Sequence, residues 1–138
     1  MANYAVAIDP GRTNGIVLVR DTGYLEKAFL IEIDELSLFL ENILFQQHHI
    51  TIVVIEQAIN LASQAAFAIR AEGMIEAVCK INRIPYQKQR PQARLAFQKR
   101  AQEVLAQHKI KNWKTQHVTD AYAHALFWAN SQRKKQPV

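Results

Sequence analysis

Cysteine is almost missing from this chain: its 138 residues hold one. A single thiol can form neither an internal disulfide nor a cysteine-based structural zinc site. That residue, Cys79, lies among Ile75, Val78 and Ile81 and reads as a small core side chain. Also missing is any apolar run near the roughly 18 residues that span a bilayer, or a charged N-terminal segment leading into one. These absences predict a soluble, cytoplasmic protein with no membrane partner. There is no repeat, low-complexity tract or linker, so the length fits one domain, residues 1–132, followed by a basic tail at 133–138. The last absence is of acid in one region. Residues 80–114 carry ten basic side chains and only Glu103 to oppose them, whereas residues 1–79 carry four basic (Arg12, Arg20, Lys27, Arg70) against ten acidic. A basic segment joined to an acidic one suggests a polyanion partner, since each neutralised phosphate releases counterions. Charge alone leaves a solvated helix face equally open.

What is present is ordinary globular material, 49% hydrophobic and 21% charged. Tyr4–Ile8 is a short apolar run without helical period, stopped by Asp9-Pro10-Gly11, and reads as a buried strand. Ile16–Arg20 and Tyr24–Ile33 follow through tight turns, giving an antiparallel meander. Asp34 can cap a helix reaching Gln47, with Leu36, Phe39, Leu40, Ile43 and Leu44 on one face. Thr51–Ile55 is a β-branched run and the strongest strand signal. Leu61–Asn82 is helical and rich in alanine at its start (Ala58, Ala62, Ala65, Ala66, Ala68), which suits close approach of a second helix. A short strand at Ile84–Gln87, a basic helix from Pro91 to His108 and a last helix Val118–Ser131 complete the series. Strands alternating with helices after a meander predict an α/β fold, a mixed central sheet flanked by helices.

Two strands end in acid: Asp9 after the first, Glu56 after the β-branched one. If these strands are parallel neighbours, both carboxylates meet at one sheet edge, where open α/β sheets place their sites. Adjacent buried anions repel, so such a pair calls for a cation or a shared proton. His117, Asp120 and His124 share a face at the start of an otherwise apolar helix, and the strand-end acids are natural partners for them. Carboxylates with one imidazole suit magnesium or manganese better than zinc. Two such ions about 4 Å apart can activate water and stabilise the leaving oxygen of a phosphodiester. Taken singly, each acid can equally be a turn or helix cap. His124 reads as a packed helix histidine more readily than as a ligand, and His48 and His49 as solvated loop residues.

Ala7-Ile8-Asp9-Pro10-Gly11 with Gly15-Ile16-Val17, then Ile55-Glu56-Gln57, then His117-Val118-Thr119-Asp120-Ala121 with Ala123 and Ala125, resembles the ordered motifs of the RuvC family of Holliday junction resolvases. The likeness covers nearly the whole chain, with weak similarity between motifs. It implies an RNase H-like fold, a homodimer, and paired incision of a four-way DNA junction using Mg²⁺ or Mn²⁺, two ions per site. It further implies a bacterial, plasmid or phage origin. Asp9, Glu56 and Asp120 would be metal-ligating carboxylates, and His117 a fourth ligand or a proton-transfer group. This chain departs from the pattern in three ways. It is shorter between Glu56 and the last motif, and it has Ile59 where the family often places a base-stacking aromatic. Phe67 lies too far along to take that place by assumption. Lys88-Gln89-Arg90-Pro91 and Arg94 stand in place of a glycine- and lysine-bearing stretch. Arg12, Lys88, Arg90, Arg94, Lys99 and Arg100 are the expected phosphate contacts. Competing readings are another RNase H-like nuclease, a non-catalytic junction binder, and an actin-like ATP-binding domain, which Asp9-Pro10-Gly11 also resembles but which needs two such units.

Overall fold

The computed structural model describes residues 2–58, 65–108 and 115–135. Its centre is a five-stranded sheet of order β3-β2-β1-β4-β5. Strands β1 (Asn3–Asp9), β2 (Thr13–Arg20) and β3 (Leu25–Glu32) form the expected antiparallel meander. Strands β4 (His49–Glu56) and β5 (Tyr86–Gln89) add on the other side of β1, both parallel to it. The chain thus has the mixed sheet read from the sequence, and β1 and β4 are the parallel neighbours on which convergence of the acids depended.

Side chains alternate along each strand, so each face collects its own core. On one face Ala5, Ala7, Val17, Val19 and Val54 meet α4 (Gln116–Lys135) and α3 (Gln98–His108). On the other Val6, Ile8, Ile16, Leu18, Val53 and Ile55 meet the helical segment after β3 and helix α2 (Ala65–Ile81). The start of α2 expected at Leu61 lies outside the described residues.

Several boundaries differ from the sequence reading, each for a local reason. The helix after β3 opens as a 3₁₀ turn (Ile33–Glu35) with Glu32 at its N-cap, so Asp34 sits inside the first turn and caps nothing. After one α turn, α1 (Leu36–Leu38), it widens into a π-helix (Phe39–Phe45). The wider turn keeps Leu36, Leu40 and Leu44 fully buried while Ile43, expected on the same face, turns outward. Strand β5 starts two residues later than expected because Pro85 has no N–H for the ladder; its carbonyl accepts from Val53 N instead. The basic segment begins as 3₁₀ (Pro91–Phe97) before α3. Helix α4 runs past Ser131 to Lys135, so Arg133, Lys134 and Lys135 are helical and the helix crosses the boundary drawn at residue 132. No described helix is long and apolar enough to cross a membrane.

Candidate active site

Strand register sets the site. Ile8 pairs with Ile55, and Glu56 pairs with Gln89. Asp9, one past Ile8, therefore lies beside Glu56, and Asp9, Glu56 and Gln89 form a row across three strand ends. Strand alternation turns all three toward α4. On the other flank Asp9 pairs with Gly15 of β2. A Cβ on Gly15 would sit 2.2 Å from the His117 carbonyl oxygen and 2.8 Å from Val118 N. Only glycine lets the first turn of α4 rest this close to the sheet, and that contact sets His117 and Asp120 over the row. Buried Asn14 holds the preceding turn, accepting from Gly11 N at 3.1 Å and donating to the Ile31 carbonyl at 3.1 Å.

The sequence-predicted core is brought together. Asp9 and Asp120 are each 7% exposed. His117 Nδ1 lies 3.1 Å from Asp9 Oδ2, and this imidazole is half exposed. Gln98 and Gln116 both donate to Asp120 Oδ1, at 2.8 and 2.6 Å. Arg94 enters from the 3₁₀ segment: Nη1 donates to Glu56 Oε1 at 3.0 Å and to the Pro91 carbonyl at 3.0 Å. Its Nε is 3.3 Å from Asp120 Oδ1, close enough for an ion pair but not aligned for a hydrogen bond. His124, fully buried, lies between Gln89 Oε1 at 2.7 Å and Glu56 Oε1 at 3.1 Å.

Burial, and then the neighbouring Glu56 and Asp120 charges, push the Asp9 carboxyl up to about 7 even though His117 pulls it down. Glu56 moves the other way. Burial is again the largest single influence and raises it, but hydrogen bonds from His124 and Asp9 and the charges of His124 and Arg94 together hold it below the ordinary carboxylate value. The hydrogen bond to Asp9 raises His117. The two neighbouring carboxylates are thus pushed apart, Asp9 up and Glu56 down, as crowded anions short of positive charge should be.

Oxygen donors with an anionic excess suit a hard divalent cation. As placed, no three His, Cys, Asp or Glu side chains among the described residues close into a group that could hold a metal ion. Arg94 supplies the positive charge between Glu56 and Asp120 instead.

The other basic residues are dispersed. Arg12 sits in the β1–β2 turn with its guanidinium 5.7 Å over the Phe67 ring. Lys88 points to the α2 face and pairs with Glu72 at 3.0 Å and with Glu76. Arg90, Lys99 and Arg100 are exposed beside the site's 3₁₀ segment and on α3. Ile59 lies outside the described residues. Cys79 is buried, with its thiol pushed up to about 12 by that burial and by Glu76, so it is an inert core group. Sequence reasoning missed Gln89, Gln98 and Gln116 as site residues, while His124 is the packed helix histidine it expected, buried against Gln89 and Glu56. For His124 the one available signal was that it shares a helical face with His117 and Asp120.

No protein-family model matches the chain, and no curated protein matches it. Among solved structures it is similar to Thermus thermophilus RuvC in complex with a Holliday junction substrate, with a TM-score of 0.76 at 16% identity over 96% of each chain. It is also similar to a second Thermus thermophilus RuvC structure, with a TM-score of 0.65 at 15% identity over 98% of this chain and 99% of that one. At identity this low the likeness shows the fold alone, a mixed RNase H-like sheet with flanking helices along nearly the whole chain.

Proposed function

We propose that the chain is a divalent-metal-dependent endonuclease that resolves four-way DNA junctions. The observation that carries this reading is the convergence of three acids from separate elements, Asp9 ending β1, Glu56 ending β4 and Asp120 opening α4. They meet at one sheet end with more negative charge than their own neighbours offset. Asp9, Glu56 and Asp120 would hold Mg²⁺ or Mn²⁺, two ions being the number that suits in-line displacement. Bound there, the ions would activate water and neutralise charge on the leaving oxygen of a phosphodiester. His117, its Nδ1 on Asp9, orients that carboxylate and can carry a proton at the half-exposed ring. Gln98 and Gln116 fix Asp120, and His124, seated on Gln89, fixes Glu56. Exposed Arg90 and Lys99, with Arg12 in the β1–β2 turn, are the phosphate contacts of this reading, whereas Arg100 stands beside Gly23 and Tyr122 at the β2–β3 turn, the other end of the sheet.

Branched DNA as the substrate draws support from the likeness to a protein solved with a Holliday junction, together with the ordered motifs of the sequence. Symmetric incision needs two sites related by a twofold axis. The outward face of α2 supports a homodimer. Ile69 and Ile81 are exposed there, Ile81 by 73%, and Gly73 has open space where a side chain would stand. The test is cleavage of synthetic four-way junctions beside linear duplex, forks and RNA–DNA hybrids, in Mg²⁺ and in Mn²⁺. Junctions should be cut, and Asp9→Asn or Glu56→Gln should lower the rate about 10³-fold or more, the equivalent of several kcal/mol of charge stabilisation. Preferential cutting of hybrids would point to another RNase H-like nuclease. Junction binding without any cleavage would leave a non-catalytic binder.

A further inference from the structure

Arg94 occupies an unusual place for a basic residue beside a phosphodiester site. Its guanidinium spans Glu56 at 3.0 Å and Asp120 at 3.3 Å, two of the three acids assigned to the metal. Its other hydrogen bond, to the Pro91 carbonyl, lies within its own 3₁₀ segment, so the segment and the side chain form one unit. That segment, Pro91–Phe97, has no fully buried residue, and Leu95 on it is largely exposed. Nε is shielded from water yet has no aligned acceptor, so the guanidinium fits this position imperfectly. A buried donor left without an acceptor carries a desolvation cost.

We propose that Arg94 is an internal counter-cation that competes with the divalent metal for Glu56 and Asp120, and that metal binding releases it to a phosphate of the DNA strand. The inference rests on the metal-nuclease reading above. A guanidinium beside Glu56 Oε1 and Asp120 Oδ1 repels a divalent ion brought to the same two carboxylates, so each weakens the other's hold there. One cation is exchanged for another, and the freed guanidinium has the planar fork that pairs with phosphate oxygens. Metal and DNA then bind cooperatively through one side chain, and each strengthens the other to the same extent.

The full-length protein and its Arg94→Gln variant are titrated with Mn²⁺ and followed by calorimetry and by thermal melting, alongside junction cleavage. Without the competitor, Arg94→Gln should bind Mn²⁺ about five-fold more tightly or better. It should melt lower than the wild type in EDTA and recover more of its melting temperature on adding Mn²⁺. It should nevertheless cleave junctions more slowly at saturating metal. Arg94→Lys, which can offset only one carboxylate at a time, should fall between the two in metal affinity. Equal Mn²⁺ affinity in wild type and Arg94→Gln overturns the competition, and undiminished cleavage by the tighter-binding variant overturns the transfer to phosphate. If neither protein binds Mn²⁺, the metal-nuclease reading itself falls, and this inference with it.

Discussion

The two faces of the sheet are built on different plans. Toward α1, the π-helix and α2 the side chains are large and aliphatic: Ile8, Ile16, Leu18 and Ile55 from the strands against Leu36, Leu40, Leu44, Ile75 and Val78. Toward α4 the layer between β1 and the helix is thin, with Ala5 and Ala7 against Ala121, Ala123, Ala125 and Ala129, and larger groups such as Leu25, Leu105, Tyr122 and Trp128 complete the same cluster. Thick side chains hold helices away from a sheet and fill the gap with apolar volume. Thin ones let a helix approach until backbone meets backbone, as Gly15 meets His117. That closeness brings short side chains such as Asp9 and Asp120 within reach of their partners. The closest approach of helix to sheet, and with it the carboxylate row, therefore lies on the second face.

Breaking the contrast at Gly15 should have the largest effect. Gly15→Ala puts a methyl where α4 backbone stands, and the overpacking costs about 1–3 kcal/mol. It also lifts His117 and Asp120 off the carboxylate row, so junction cleavage should nearly vanish although the protein still folds in circular dichroism. Retained cleavage would show that the site tolerates a looser α4. His124→Asn keeps the polarity but shortens the reach to Glu56. Loss of such an orienting partner lowers activity or metal affinity by about 10- to 100-fold, which single-turnover rates at several Mn²⁺ concentrations would resolve.

Leu40→Ala tests the opposite face. A cavity at a fully buried leucine costs about 2–5 kcal/mol, visible in urea unfolding, while cleavage per folded molecule should stay at the wild-type level. The smallest effect concerns pH. With its folded value raised from 3.8 to about 7, Asp9 contributes stability that is complete below 3.8 and is lost as pH rises through about 7. Metal-free wild type should therefore lose melting temperature between pH 5 and pH 8, and Asp9→Asn should show a flatter profile. An equal slope in both would place the charge strain elsewhere.

The contrast also separates what could be read in advance from what could not. Apolar β-runs ending in acid made Asp9 and Glu56 legible, because strand alternation and parallel pairing leave such residues only one place to go. Asp120 was legible from the polar stripe that opens α4. Arg94 and Lys88 were not: a basic residue in sequence shows its charge but not the direction it turns. One folds onto the carboxylates, and the other pairs with Glu72 and Glu76 on the far face. Gln89, Gln98 and Gln116 carry neither charge nor periodicity, so only tertiary packing reveals them. The π-helix is hidden for a related reason, since Leu36, Leu40 and Leu44 at spacings of four fit an ordinary helix equally well. The sequence places β5 at Ile84–Gln87, and only the ladder moves its start past Pro85 to Tyr86.

The hydrogen bond from His117 to Asp9 joins residues 108 apart in the chain. During synthesis the meander and β4 emerge first and can pair with Asp9 and Glu56 already side by side, yet α4 follows only after β5 and α3. Until it arrives, the alanine-lined face of the sheet stays wet and the two acids lack Asp120 and His124. A nascent chain therefore holds the two strand-end acids before the rest of the candidate site exists. The same interval leaves its uncovered sheet face open to wrong contacts, so speed of completion, more than final stability, should govern how much of this protein a cell recovers intact.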